Sequence, residues 1–369
     1  MLTRHPRIAA AAALLLGFLL IWAAPLAGLA AAGRPLAAYL AFPPRTAQVE
    51  QAPFSWGALF LLSLPLAFAA VLYGIALYRA RPRPSRIRKS CPWWGWLGLA
   101  LIAAGWALAW SEAVAPEWRR HTFTPLWLGY VLTMNALAYR RGGEALLTHR
   151  TGLLLALFPA SAFFWWLFEH LNRFAGNWYY TGIVAAGDWD YFLQATLPFS
   201  SVLPAVASTW EWLKTFPRFA ALGEGMPKLQ VSVPAMVSIL VGLFALAGIG
   251  VWPQALFGLL WLAPLPVLLG LQKLLLGETL LAPLAQGDWR PLLQPALAAL
   301  VCGAAWEFWN YGSLAQWHYS VPYVQRFHVF EMPLLGYAGY LPFGVACALV
   351  IDVAARMIDR GRLEGKRRR

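Results

Sequence analysis

Two short stretches combine residue types that can hold and move protons. Residues 168–181 read FEHLNRFAGNWYYT and residues 306–320 read WEFWNYGSLAQWHYS. Each carries a glutamate, an asparagine three residues on, and a Trp-x-Tyr beyond: Glu169, Asn172, Trp178 and Tyr180, then Glu307, Asn310, Trp317 and Tyr319. Residues at i and i+3 share one helix face, so Asn172 and Asn310 are positioned to orient the two glutamates by hydrogen bonds. A carboxylate at the edge of an apolar span is costly unless it faces a polar cavity or a partner. Apolar surroundings favour the protonated acid, and such a group can act as a general acid or base. The candidate catalytic residues are therefore Glu169 and Glu307, with Glu331, His318 and His328 assisting. Candidate substrate-binding residues are Asn172, Asn310, Trp178, Tyr180, Trp317, Tyr319, Arg173 and Arg326.

Two other readings of the same residues stand beside this one. His318, His328, Glu331, Glu307 and Glu169 could bind a metal, although no compact spacing such as HExxH is present. Alternatively Glu169 pairs with Arg173 and Glu307 with Arg326, fixing helices and loops only, since intramembrane charges usually pair with one another. The aromatic residues alone also suit an interfacial belt. No motif implies a cofactor.

The elements that must position these residues are transmembrane helices. The chain has 369 residues, 60% hydrophobic and only 12% charged, with mean hydropathy +0.56; a soluble domain carries roughly twice that charged fraction. Apolar runs of about 20 residues read as spans, and ten are expected near 8–32, 57–78, 93–110, 124–139, 151–170, 192–213, 232–252, 255–272, 291–310 and 333–356. The fold class is an all-α polytopic membrane protein. With the N-terminus inside, the cytoplasmic segments collect 23 of the 29 Lys and Arg and 8 of the 16 acids. That bias follows the positive-inside rule. It places both termini in the cytoplasm and suggests a bacterial inner membrane. The basic runs at 79–89 and 365–369 are then topology anchors with an affinity for anionic lipid headgroups, and nucleic-acid binding is not indicated. Residues 1–33 also resemble a secretory signal. Their apolar stretch is longer than a signal core, so a retained first helix is expected.

The two stretches belong to a larger internal similarity. Gly143-Glu144-Ala145-Leu146-Leu147 matches Gly277-Glu278-Thr279-Leu280-Leu281, and the offset of 134 drifts to 139 at the Trp-x-Tyr segments. The expected organisation is two leading helices in 1–90, then four-helix repeats in 91–230 and 231–369. An even helix number makes the repeats parallel, so both motifs lie on the extracytoplasmic face, under aromatic loops that fold back as a lid. Glu144 and Glu278 read as solvated structural residues, within a second acid set that includes Glu211 and Asp352. Arg119, Arg120 and His121 have no counterpart in the second repeat; they could hold a phosphate or other anionic headgroup, or be ordinary loop charge. Cys91, Cys302 and Cys347 indicate neither a disulfide framework nor a zinc site.

The motif order resembles that of the membrane-integral lycopene cyclase domains, carotenoid cyclase-like units that occur in pairs. Glu307, Trp317-His318-Tyr319-Ser320 and Phe330-Glu331-Met332-Pro333 follow that order, as do Glu169 and Trp178-Tyr179-Tyr180-Thr181. Residues 193–198 lack the family's glutamate, with Gln194 the nearest polar residue, and Pro333 is followed by Leu334-Leu335 rather than by glutamates. The resemblance therefore implies a membrane enzyme acting by proton chemistry on a polyisoprenoid or another long apolar molecule, rather than lycopene cyclisation itself. The 21 tryptophans fit such a substrate, because electron-rich rings stabilise a passing cation. A transporter or channel with a paired-carboxylate proton or ion site, and a non-catalytic scaffold in which every buried charge is paired locally, are the alternatives. Expected partners are membrane lipids and a hydrophobic small molecule.

Overall fold

The computed structural model describes residues 6–82, 89–230 and 232–358. The basic run at 365–369 and most of that at 79–89 lie outside the described residues. Eleven main helices run α1 (Pro6–Ala31), α2 (Trp56–Arg79), α3 (Trp93–Trp110), α4 (Phe123–Gly142), α5 (Thr151–Ala175), α6 (Asp188–Phe199), α7 (Val202–Leu213), α8 (Ala235–Val251), α9 (Pro264–Leu276), α10 (Arg290–Tyr311) and α11 (Tyr340–Ile358). Two short antiparallel ribbons join β1 (Trp178–Thr181) to β2 (Gln316–Tyr319), and β3 (His328–Val329) to β4 (Met332–Pro333).

Among the described residues, seven helical segments are long and apolar enough to cross a membrane: α1, α2, α3, α5, Leu259–Leu276, α10 and Leu334–Ile358. These are the helices of a membrane protein. The character is plainest in α2, whose Trp56, Phe60, Phe68 and Val71 all stand exposed, as a helix that is apolar all round requires of its solvent. The other three expected spans differ for local reasons. Helix α8 is only 17 residues long, and α4 carries Tyr130, Thr133, Asn135 and Tyr139 along its length. The segment 192–213 is not one helix but two, α6 and α7, broken at Ser200-Ser201 between Pro198 and Pro204. Proline lacks the N–H that would continue the ladder. Buried Ser161 on α5 satisfies the break, donating to the Phe199 carbonyl at 2.6 Å and accepting from the Leu203 N–H at 3.0 Å. Pro204 and Pro342 sit in the first turns of α7 and α11. Residues 334–339 likewise form a 3₁₀ turn before α11 begins.

Close helix contacts use small residues, as membrane helices do where backbones must approach. A Cβ on Gly28 of α1 would lie 2.0 Å from the Ala247 carbonyl of α8, and one on Gly250 would lie 2.3 Å from the Pro25 carbonyl. Helix α1 thus packs on α8, α9 and α11 instead of pairing with α2. Helix α3 packs on α4, and α8 on α9. Helix α7 packs on α5 and crosses to α10, while α11 packs on α10 and crosses to α5.

Gly143 and Gly277 end α4 and α9 in the left-handed conformation, at φ 84° and 80°. The turns that follow are anchored from the buried side: Leu147 N–H donates to Asn135 Oδ1 and Leu280 N–H to Gln272 Oε1, both at 2.9 Å. Glu144 and Glu278 are exposed, with Glu278 facing Arg356 at 3.6 Å. Basic residues cap this end of the bundle: Arg79 donates to the Gly225 carbonyl, Lys89 to that of Gly143 and Arg141 to Thr215.

Candidate functional site

At the other end of the bundle, the C-termini of α5 and α10 are brought together by the β1–β2 ribbon. Its register pairs Trp178 with Tyr319, Tyr179 with His318, Tyr180 with Trp317 and Thr181 with Gln316. Side chains of a strand alternate between faces. One face of the ribbon therefore presents Trp178, Tyr180, Trp317 and Tyr319 to the helices, and the other presents Tyr179, Thr181, Gln316 and His318.

The asparagines build this ribbon rather than touching the glutamates, which corrects the expectation that they orient the acids directly. Asn310 Nδ2 donates to the Trp317 carbonyl at 2.8 Å and its Oδ1 accepts from the Trp317 N–H at 2.9 Å. Asn172 Nδ2 donates to the Trp178 carbonyl at 2.7 Å, while its Oδ1 accepts from the Asn177 and Trp178 N–H groups. Each asparagine staples the strand to the helix turn below it. The strand then sets the aromatic residues on the acid.

Both glutamates are sealed in, 1% and 0% exposed for Glu169 and Glu307, and both are held by aromatic donors. Glu169 Oε1 accepts from Tyr180 O–H at 2.6 Å, Trp165 Nε1 at 2.9 Å and Trp178 Nε1 at 3.0 Å. Glu307 Oε1 accepts from Tyr319 O–H at 2.7 Å and Tyr340 O–H at 2.9 Å, and Trp317 Nε1 donates in turn to the Tyr319 oxygen. Glu307 Oε2 is buried with no hydrogen-bond partner. Burial, with the neighbouring glutamate next, holds the Tyr180 and Tyr319 hydroxyls well above their usual range, so both remain proton donors.

Among the described residues neither glutamate makes an ion pair, so the expected pairing is not formed. Arg173 instead donates to the carbonyls of Tyr39, Ala41 and Pro43, and Arg326 lies over the Phe54 ring at 4.3 Å. Both arginines fasten loops and neither lines the site. His170 turns away to α1, stacking on Trp22. On the outer face of the ribbon, His318 Nδ1 meets Glu331 at 2.9 Å and its Nε2 lies 3.0 Å from Thr181. His328 is exposed beside Gln325. His318, His328 and Glu331 thus stand across the ribbon from Glu307, and the five residues weighed as metal ligands do not converge; no cluster of three such groups occurs among the described residues.

The inner face lines a cavity that is partly open to solvent. Trp165, Trp178, Trp261, Trp306, Trp317 and Phe343 form its walls together with Tyr180, Tyr319 and Tyr340, whose hydroxyls donate to the glutamates. Arg120 and His121 are its only basic lining groups. The glutamates sit behind the tyrosines. Trp165 was readable, being one helical turn before Glu169. Tyr340 was not, because nothing in the spacing ties it to Glu307: its ring occupies the space left by Gly303, where a Cβ would come within 2.4 Å of it. No family model, curated protein or solved structure matches the chain.

Proposed function

We propose that the protein is a membrane enzyme that moves protons onto and off a polyisoprenoid or similar long apolar substrate. The observation that carries this reading is the pair of buried glutamates that make no ion pair among the described residues, each bonded to tyrosines that line one aromatic cavity. Carboxyls buried without an ion-pair partner are expensive, and a scaffold has no use for that cost. In the proposed step Glu307, as the acid, passes its proton to Tyr319 or Tyr340 as that phenol protonates a substrate double bond. A C–H bond forms, the π bond breaks, and a carbocation and the Glu307 carboxylate remain. The tryptophan faces stabilise the cation. Loss of a proton from an adjacent carbon, through Tyr180 to the Glu169 carboxylate, forms a new double bond. The substrate is isomerised or cyclised with no oxidant, and the proton returns to Glu307 between turnovers.

The arrangement around the glutamates supports a duplicated architecture with a two-fold axis along the bundle. If Trp178 corresponds to Trp317 and Tyr180 to Tyr319, the ribbon pairs Trp178–Tyr319 and Tyr180–Trp317 interchange under that axis. So do the crossings α7–α10 and α11–α5. In the topology we propose, ten passes cross a bacterial inner membrane, the ribbon lies on the extracytoplasmic side and the basic end lies in the cytoplasm.

The test is an untargeted isoprenoid and lipid profile of cells lacking the protein, complemented with wild type or Glu307→Gln. A species that accumulates in the deletion, and that the inserted variant fails to clear, supports the reading; unchanged profiles refute it. The α6–α7 break beside the cavity favours the alternative of proton or ion transport. Proton flux into sealed vesicles that requires Glu307 would select it.

A further inference from the structure

The cavity has one chemically distinct corner. The apolar lining gives way to Arg120 and His121, which lie beside Phe123 at the start of the 20-residue helix α4. Arg120 spends only its Nε–H, on the Gly182 carbonyl at 3.2 Å, and makes no ion pair among the described residues. The remaining guanidinium donors form a planar fork suited to a phosphate or carboxylate. Thr122 gives α4 no side-chain cap, its hydroxyl donating back to the Arg119 carbonyl at 3.0 Å. The positive end of the α4 helix dipole favours an anion at that place. Of the acids in the first turn of α6, Asp188 pairs with Arg45 at 3.2 Å, while Asp190 accepts from the Ala186 N–H at 2.7 Å and lies near enough to His121 to interact with it electrostatically. Arg120 is thus a cation without an ion-pair partner among the described residues, lining a largely aromatic chamber.

We infer that Arg120, with His121 and the start of α4, binds the oxyanion headgroup of an amphiphile whose apolar chain lies in the aromatic cavity. This rests on the reading of the cavity as a substrate chamber and narrows its substrate from a hydrocarbon to a chain ending in a phosphate-type group. The corner also sets the direction of entry: the headgroup stays at the rim while the chain reaches past Tyr180 toward Tyr319 and Tyr340.

Binding to the full-length protein in detergent, followed by quenching of tryptophan fluorescence, tests the inference with farnesyl phosphate, farnesol and dioleoyl phosphatidate as probes. Wild type is expected to prefer farnesyl phosphate over farnesol by about tenfold or more, the value of one or two charge-assisted hydrogen bonds. Arg120→Gln should remove that preference and leave farnesol binding unchanged, Arg120→Lys should retain part of it, and Arg119→Gln should change nothing. Phosphatidate binding with the same dependence on Arg120 supports the site and assigns its headgroup to a phospholipid. Equal binding of the two farnesyl probes, or a preference that survives Arg120→Gln, overturns the headgroup site while leaving the apolar chamber intact. If no probe binds wild type, the chamber falls with it.

Discussion

Replacing Gly303 by alanine separates local preference from site geometry by the sign of its effect. In a helix interior alanine is favoured over glycine by about 1 kcal/mol, so propensity alone predicts a stabilised protein. At Gly303 the added Cβ would lie 2.4 Å from Tyr340 Cε2 and 2.6 Å from both Cδ2 and Cζ. An ordinary contact needs roughly 1 Å more, so the ring must retreat by about that distance. The Tyr340 hydroxyl, 2.9 Å from Glu307 Oε1, then passes beyond hydrogen-bond range. Overpacking costs about 1–3 kcal/mol and the lost bond to an acid about 1.5–3 kcal/mol. Because the two overlap, the net expectation after the propensity gain is a destabilisation of about 1–3 kcal/mol. Reversible unfolding by SDS titration in mixed micelles measures it. Gly74, in α2 with nothing near its added Cβ, and Gly152, whose nearest contact is Ile358 at 3.6 Å, are the controls and should be neutral or stabilised as alanine. A double-mutant cycle with Tyr340→Phe isolates the hydroxyl, since phenylalanine meets the same clash with no bond to lose. Stability of Gly303→Ala equal to or above wild type refutes the reasoning.

The remaining expectations use the same measurements. Glu307→Gln should insert and fold yet lower substrate conversion by about 10²–10⁴, the usual worth of a general acid, as read from the accumulating species in cells. Asn310→Ala strands the Trp317 N–H and carbonyl, and should cost about 2–4 kcal/mol in unfolding together with activity, because Tyr319 is positioned through that strand. Ser161→Ala leaves the Phe199 carbonyl and Leu203 N–H of the α6–α7 break unpaired, and should cost about 1–3 kcal/mol in the same titration.

Periodicity and composition expose the long apolar helices because their solvent is the bilayer, so hydrophobicity alone marks them. The spacing Glu-x-x-Asn with a following Trp-x-Tyr was legible as a candidate site for a similar reason: a carboxyl among tryptophans at a span end violates a strong cost. The roles within it were not legible. Whether Asn172 and Asn310 bond the acids or the strand depends on where the chain goes after α5 and α10, and the tight turns at Gly176 and Ser313 send it back over the helix end. The division of His318 and Glu331 from Glu307 is a consequence of strand alternation, and spacing that suited a loop left it hidden.

By itself the sequence determined that this is a helical membrane protein with two similar acid–aromatic segments. Those properties follow from local transfer energies and short-range spacing, which act one residue at a time. Only the tertiary structure decided that both segments pair into one ribbon, that Arg173 and Arg326 serve loops while Arg120 reaches the cavity, and that Tyr340 fills the space of Gly303 to reach Glu307. Each of these joins residues far apart in the chain, and distance along a sequence carries no information about which apolar faces will exclude lipid together.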